Sequence, residues 1–382
     1  MSRNFGENHR VVVAMSGGVD SSAAAAVLKE QGYDPIGITL NLSCSARSAD
    51  KGCCSASAAA DARKVAHQLG FPHYTLNFKE KFKKLVIDNF VEEYQNGRTP
   101  NPCIRCNQFI KFDLLLKKAR ELGAEHVATG HYARIMTNVS RKAGSRIKDT
   151  NMESGQCPMS NEGKYKLLKG VDGRKDQSYV LYMLTQESLA HILFPLGGAT
   201  KAEVRKIARN LKLPVAEKKE SQEICFIEDD DYGRFLKETS LEAVKPGLIL
   251  DRQGNKVGMH AGIAFYTIGQ RKGIGAHGGK PKYVVEIFRD KNAIVIGDEK
   301  DLFRDELTAE EVSFVSGSRP TGPLEVTAKI RYNSPGAKAI IRWLGGLVVR
   351  VKFEKPQRAI TPGQAVVFYA GEEVLGGGVI RG

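Results

Sequence analysis

The sequence holds no apolar run approaching the roughly 20 residues that cross a bilayer. Its first residues are polar and lead straight into a strand-like run, with no h-region and no cleavage pattern, so a cytoplasmic chain is expected. Cysteine is sparse, seven in 382 residues, which predicts thiols or metal ligands in a reducing cytosol and argues against a disulfide framework. The one glycine-rich turn near the start lacks the Gly-Lys-Ser/Thr ending of a Walker loop and the spacing of a dinucleotide G-x-G-x-x-G. Acidic residues are short of basic ones, 43 against 57, and the net charge of +14 favours a polyanionic partner such as RNA. The remaining composition, 42% hydrophobic and 26% charged, is that of a folded chain too long for one ordinary core. Two or three domains are expected.

The turn itself is Ser16-Gly17-Gly18-Val19-Asp20-Ser21, set between the apolar Val11-Val12-Val13-Ala14-Met15 and an alanine-rich helix. A buried strand, a glycine turn and a helix N-terminus together form an anion site, with Ser16, Ser21 and Ser22 as hydroxyl donors. No lysine stands in this turn to neutralise charge. The alternative, a strand-to-helix turn holding no ligand, fits this context less well. S-G-G-x-D-S after a first strand resembles the PP-loop of ATP pyrophosphatases, which implies binding of the ATP triphosphate, adenylation of a substrate oxygen and release of pyrophosphate.

Further along, Ile36-Gly37-Ile38-Thr39-Leu40 and Tyr74-Thr75-Leu76-Asn77-Phe78 are predicted as strands, with a helix capped by Ser55 between them. Residues 80–94 have helical spacing, with Lys81, Lys83 and Lys84 on a solvated face. Residues 97–107 break the pattern with Pro100 and Pro102 and are read as a loop, followed by a helix over 110–122 and a short strand over 126–129. Alternating strands and helices predict an α/β fold, a doubly wound parallel sheet with ligands beyond the strand C-termini. Residues 137–163 are polar and aperiodic and are expected to form a mobile insertion. Thr200 to Glu203 fits a capping box. Past residue 229 come glycines and short segments. From about 300 the pattern is β, with Gly345-Gly346 as a hairpin signal and a small closed β-barrel as the outcome. The expected division is 1–228, 229–298 and 299–382.

Cys103-Ile104-Arg105-Cys106 has spacing that suits a metal, a redox pair or a catalytic thiol. No second C-x-x-C follows to complete a zinc site, and the pair is read in a loop after two prolines, where a thioredoxin-like motif would open a helix. Cys225 is the best third member, while Cys44, Cys53, Cys54 and Cys157 are compatible with ordinary packing or surface thiols.

The words around these cysteines match a family. Thr99-Pro100-Asn101-Pro102-Cys103-Ile104-Arg105-Cys106-Asn107, Thr129-Gly130-His131-Tyr132-Ala133-Arg134, Lys175-Asp176-Gln177-Ser178-Tyr179, the stretch around Cys225, residues 267–273 and Ile330-Arg331-Tyr332-Asn333 resemble tRNA-specific 2-thiouridylases over nearly the whole chain. The resemblance implies adenylation of O2 of the wobble uridine by ATP and magnesium, then delivery of sulfur to C2, giving 2-thiouridine in tRNA. It implies a persulfide on Cys225, Cys106 as the second catalytic cysteine, and a donor protein that relays sulfur. It places Ala14, Met15, Ser16, Gly17, Gly18, Val19, Asp20, Ser21, Leu40 and Gly130 at the nucleotide. Asn101, Pro102 and Cys103 would lie against the target base. His131, Lys175, Asp176, Gln177, Arg331, Tyr332 and Gln364 would contact tRNA. The chain departs from the family at Cys103, where many members carry aspartate. Three thiolates, Cys103, Cys106 and Cys225, could instead hold a [4Fe–4S] cluster with one open iron, an alternative ranked below the persulfide route. An amide-forming PP-loop synthetase would not need the paired cysteines. A tRNA-binding protein without turnover would need neither these cysteines nor an intact turn.

Overall fold

The computed structural model describes residues 9–42, 56–137, 164–218, 224–227, 231–240, 244–275 and 280–381. Ser55, the four cysteines 44, 53, 54 and 157, and nearly all of the expected insertion lie outside them.

Val11, Val12 and Val13 are fully buried, as a β-branched run without polar alternation must be when both faces of a parallel sheet are covered. They form β1 (Arg10–Ala14), the centre of a five-stranded sheet with β2 (Asp34–Asn41), β3 (His73–Asn77), β4 (His126–Ala128) and, after the hairpin β5 (Ala133–Thr137) and β6 (Tyr165–Lys169), β7 (Ile192–Leu193). The order is β3-β2-β1-β4-β7 and every pairing is parallel. The chain runs outward from β1 on one side and returns as β4 on the other. The topological switch point, where such sheets open a crevice, therefore lies between the C-terminal ends of β1 and β4. Helices α1 (Val19–Glu30) and α2 (Ala56–Leu69) follow β1 and β2 as expected. Ala23 and Ala24 of α1 are wholly buried against Tyr132, Leu196 and Val204, so small side chains bring α1 close to the helix Lys201–Asn210.

One expectation fails here. The loop read over 97–107 ends early, because a helical segment starts at Pro102 and continues as Pro102–Arg105, the π-helical Cys106–Leu114 and Leu115–Glu121. Pro102 is tolerated because the first helical N–H has no partner within the helix to lose. Asn101 caps the turn by accepting from the Cys103 N–H at 3.1 Å.

The second unit is a four-stranded sheet that sequence patterning showed only as short segments: β8 (Gly247–Leu250), β9 (Lys256–His260), β10 (Tyr283–Phe288) and β11 (Ala293–Gly297), in the order β10-β11-β8-β9. The third contains β12 (Phe303–Phe314), β13 (Leu324–Lys329), β14 (Ala337–Gly345), β15 (Val348–Arg358), β16 (Ala365–Ala370) and β17 (Glu373–Ile380). Pairing of β12 with β17 closes a six-stranded barrel, as expected. Gly345 pairs with Val348 across the expected hairpin. The barrel is not independent of the first unit, because β6 pairs with β17 and extends its sheet (Leu167 opposite Val374, Leu168 opposite Glu373).

Candidate active site

At the end of β1 the chain must turn sharply under α2. Gly17 has φ +66°, and a Cβ there would fall on the Ala58 carbonyl, so any other residue would be both strained and blocked. The turn is knitted by its own hydroxyls: the Ser16 N–H donates to Ser21 Oγ at 3.1 Å, and Ser22 Oγ donates to the Gly18 carbonyl at 2.9 Å. Thr39 Oγ1 of β2 donates to the Met15 carbonyl at 2.8 Å. From β4, Gly130 comes so close that a Cβ would lie 2.8 Å from Asp20 C and Ser21 N. The two segments implied to border a nucleotide therefore touch at the switch point. Leu40, near the end of β2, is buried, as are Met15 and Val19, while Ala14, Ser16, Gly18 and Asp20 are half-buried.

No lysine stands within the turn, but two lysines from far along the chain reach it. Lys201 Nζ donates to both Asp20 carboxylate oxygens, at 2.7 and 2.8 Å, and Tyr132 Oη donates to Asp20 Oδ1 at 2.8 Å. Lys218 Nζ donates to the Gly17 carbonyl at 3.0 Å and to Asp61 at 2.7 Å. These partners lie 181 and 201 residues from the turn, so no local motif could contain them. A signal did exist for Lys201. The Thr200–Glu203 capping box forms as expected and puts Lys201 at the first helical position, where a cation opposes the helix dipole.

The first unit braces Asp20 further. Gln177 accepts from the Tyr132 N–H at 3.0 Å and donates its own N–H to the Tyr132 carbonyl at 2.9 Å. Asp176 accepts from the N–H groups of Gly170 and Ser178 and from Ser178 Oγ, and the Lys175 N–H donates to the Asp172 carbonyl. Asp172 in turn accepts from the Lys201 N–H, the main reason its carboxyl lies below the ordinary range. Gln177 thus supports the glycine turn through Tyr132 and Asp20, a connection that the family resemblance did not supply.

His131 is buried against Phe112 and Phe194, with ring centroids 6.0 Å away in each case, and its Nδ1 is 2.8 Å from Thr129 Oγ1. It packs as a core residue, with contacts inside the protein that the family resemblance did not supply. Burial first, and Lys111 second, hold its pKa well below 6.5. A depressed histidine contributes stability that is present above the unfolded value of about 6.5 and is lost as pH falls through the folded one. Melting temperature should therefore drop as pH is lowered from 7 to 5, and His131→Gln should flatten part of that slope. An unchanged slope would remove His131 from the account. Burial gives His73, His126 and His260 the same direction, so only part of the slope belongs to His131.

Cys103 and Cys106 stand three apart on consecutive turns of one helix, Cys103 exposed and Cys106 buried. Arg105 between them donates to the Leu85 carbonyl at 3.1 Å. Cys225 is exposed on a short turn in which the Ile227 N–H donates to the Ile224 carbonyl. Its neighbour Phe226 packs edge-on against Phe82 and Phe90. Cys106, Ile224, Phe226, Ile227 and the end of β2 (Leu40, Leu42) all belong to one apolar cluster. Among the described residues, these three cysteines included, no group of three or more His, Cys, Asp or Glu is placed to hold a metal ion.

The barrel reaches the same place. Tyr332 packs edge-on against Tyr179, and its phenol is pushed up to about 12 by burial, then by Asp176 and Cys103 nearby. Arg331 Nη2 donates to the carbonyls of Arg358 and Ala359, and Gln364 Nε2 donates to the Thr99 carbonyl at 2.9 Å. Arg331 and Gln364 thus make contacts within the protein that were not foreseen for tRNA-contacting residues.

Three family descriptions match in sequence: a tRNA methyl transferase HUP domain over residues 9–229, a tRNA methyl transferase PRC-barrel domain over 233–298 and an aminomethyltransferase β-barrel domain over 304–380. The tRNA-specific 2-thiouridylase MnmA 1 of Thermoanaerobacter pseudethanolicus is 51% identical over 379 residues, covering 98% of both chains. The tRNA-specific 2-thiouridylase MnmA of Clostridium acetobutylicum is 49% identical over 377 residues, covering 98% of this chain and all of its own. That of Acetivibrio thermocellus is 48% identical over 376 residues, covering 97% and 99%. With identity near one half across almost the full length of each relative, the chain belongs to the tRNA-specific 2-thiouridylase family.

Proposed function

We propose that this protein uses ATP to replace O2 of the wobble uridine of tRNA with sulfur. The observation that carries the reading is the single apolar cluster joining Cys106, the residues flanking Cys225, the end of β2 and Val12 and Ala14 of β1, the strand that leads into the glycine turn. In this reading O2 attacks the α-phosphorus of ATP and pyrophosphate departs. The adenylated O2 is then a good leaving group. The terminal sulfur of a Cys225 persulfide attacks C2, and AMP leaves with the oxygen. The Cys106 thiolate attacks the Cys225 sulfur and breaks the S–S bond, leaving a Cys106–Cys225 disulfide that an external thiol reduces. A sulfur-relay protein reloads Cys225. Lys201 and the turn amides neutralise phosphate charge, and Lys218 fixes Gly17. Magnesium would be held mainly by the phosphates with Asp20 at hand, adding charge neutralisation. Asn101, Pro102 and Cys103 face the base, and the functional division follows 1–228, 229–298 and 299–382. No helix among the described residues is long and apolar enough to cross a membrane, and we place the protein in the cytoplasm.

The reading is tested by incubating the protein with ATP, unmodified tRNA and a persulfide donor, then assaying nucleosides for 2-thiouridine. Absence of product with a persulfidated Cys225 would overturn it. A chain of net charge +14 should bind tRNA chiefly through phosphates. Affinity should then fall about 10³-fold or more between roughly 50 and 200 mM salt if six to ten phosphates are neutralised. Arg331→Ala should weaken tRNA binding and leave ATP affinity alone. A salt-independent affinity would refute the electrostatic account.

A further inference from the structure

The chain that leads into the cysteine helix is held by the other two units more than by its own. Gly97 lies against the second unit, where a Cβ would come within 2.6 Å of Ile287 Cγ2. Arg98 forks: its Nε donates to Glu93 in the first unit at 2.7 Å, and its Nη1 donates to Glu310 of β12 at 2.8 Å. The three side chains are only 21–28% exposed. Burial opposes the Arg98 charge, yet the two carboxylates hold its pKa above the ordinary value. Thr99 has all three of its polar groups engaged outside the first unit. Its N–H donates to the Pro362 carbonyl at 2.8 Å, its carbonyl accepts from Gln364 Nε2 at 2.9 Å, and its hydroxyl is 3.1 Å from Thr267 Oγ1 of the second unit. Two residues later Asn101 caps the helix of Cys103 and Cys106.

A segment with so many external partners cannot shift without shifting the barrel or the second unit. We propose that Arg98, bridging Glu93 and Glu310, is a positioning residue that sets the register of the Cys103–Cys106 helix from the barrel, so that sulfur transfer depends on a contact between the first unit and the barrel. The inference rests on the thiolation reading given above. A charge-assisted fork fixes direction as well as distance, whereas the flexible ammonium of lysine acts as a point charge and sets direction less firmly. Small displacements of a reacting group cost rate steeply, about 10²-fold for 1 Å.

The test compares wild type with Arg98→Gln, Arg98→Lys, Glu310→Gln and the double variant Arg98→Gln/Glu310→Gln. Two readouts are taken: the rate at which iodoacetamide labels Cys103, followed by mass spectrometry, and single-turnover thiolation with ATP and tRNA affinities measured alongside. Arg98→Gln and Glu310→Gln should each change the Cys103 labelling rate several-fold and slow thiolation about 10–100-fold, with both affinities within about twofold of wild type. The double variant should be no worse than Arg98→Gln alone, and Arg98→Lys should recover only part of the rate. Unchanged labelling in Arg98→Gln overturns the proposal, as does a rate loss matched by lost tRNA affinity or lost folding. Labelling needs no turnover, so an inactive wild type would sink the thiolation reading while this readout still judged the bridge.

Discussion

Asp20→Asn is expected to lose pyrophosphate release by roughly 10²–10³-fold, the range seen when one preorganised electrostatic group is removed from a reacting site. Asp20 holds Lys201 by both carboxylate oxygens and takes the Tyr132 hydroxyl as well. Asparagine keeps the shape but leaves the Lys201 side chain, 11% exposed, without its countercharge. Breaking a fully buried pair costs about 3–5 kcal/mol; the loss here should be smaller, because Asp20 is itself 32% exposed. Stability and chemistry can be separated by adding Lys201→Met. The double variant should regain most of the lost melting temperature, since no stranded charge remains, and should stay inactive. Pyrophosphate release from Asp20→Asn at the wild-type rate would remove this carboxylate from the nucleotide site. Recovery of activity in the double variant would show that Lys201 does not meet the phosphates.

The contrast between what could and could not be foreseen follows from range. The β1 run, the glycine turn, α1 and the capping box at Thr200 depend on neighbours within a few residues, and each formed where expected. The closed barrel was also legible, because alternation is a local pattern even when its pairing is not. Lys201 and Lys218 were missed because their meaning comes from carboxylates and carbonyls about two hundred residues away. The helix start at Pro102 was missed for a different reason. Two prolines and an asparagine signal a break, and the same residues at Ncap and N1 signal a beginning; hydrogen bonding, not composition, tells them apart. The strands of the second unit are only four to six residues long, with glycine at the start of β8 and the end of β11, so their periodicity never stood clear of the turns. His131 and Gln364 came from the family resemblance alone, and their partners inside the protein could not be read from it.

Cys103→Asp should retain substantial thiolation, within about tenfold of wild type, whereas Cys106→Ser and Cys225→Ser should each fall to background. The difference follows from where the thiols stand. Cys103 is exposed at the second position of its helix, after the Asn101 cap and Pro102. A carboxylate there faces the positive end of the helix and is favoured by about 0.3–1 kcal/mol, so the substitution should not disturb the fold. In the persulfide route the sulfur is carried by Cys225 and released by Cys106, and neither step breaks a bond at Cys103. Serine at 106 or 225 cannot form the S–S bond on which both steps depend. A cluster route makes the opposite demand, because aspartate is a hard ligand and a poor match for iron–sulfur chemistry. The deciding measurement assays wild type and Cys103→Asp with and without iron and sulfide, and weighs Cys225 by mass spectrometry before and after turnover. Strict iron dependence in wild type, lost in Cys103→Asp, would refute the persulfide route. Iron-free turnover that consumes a mass of one sulfur from Cys225, in both proteins, is the expected result.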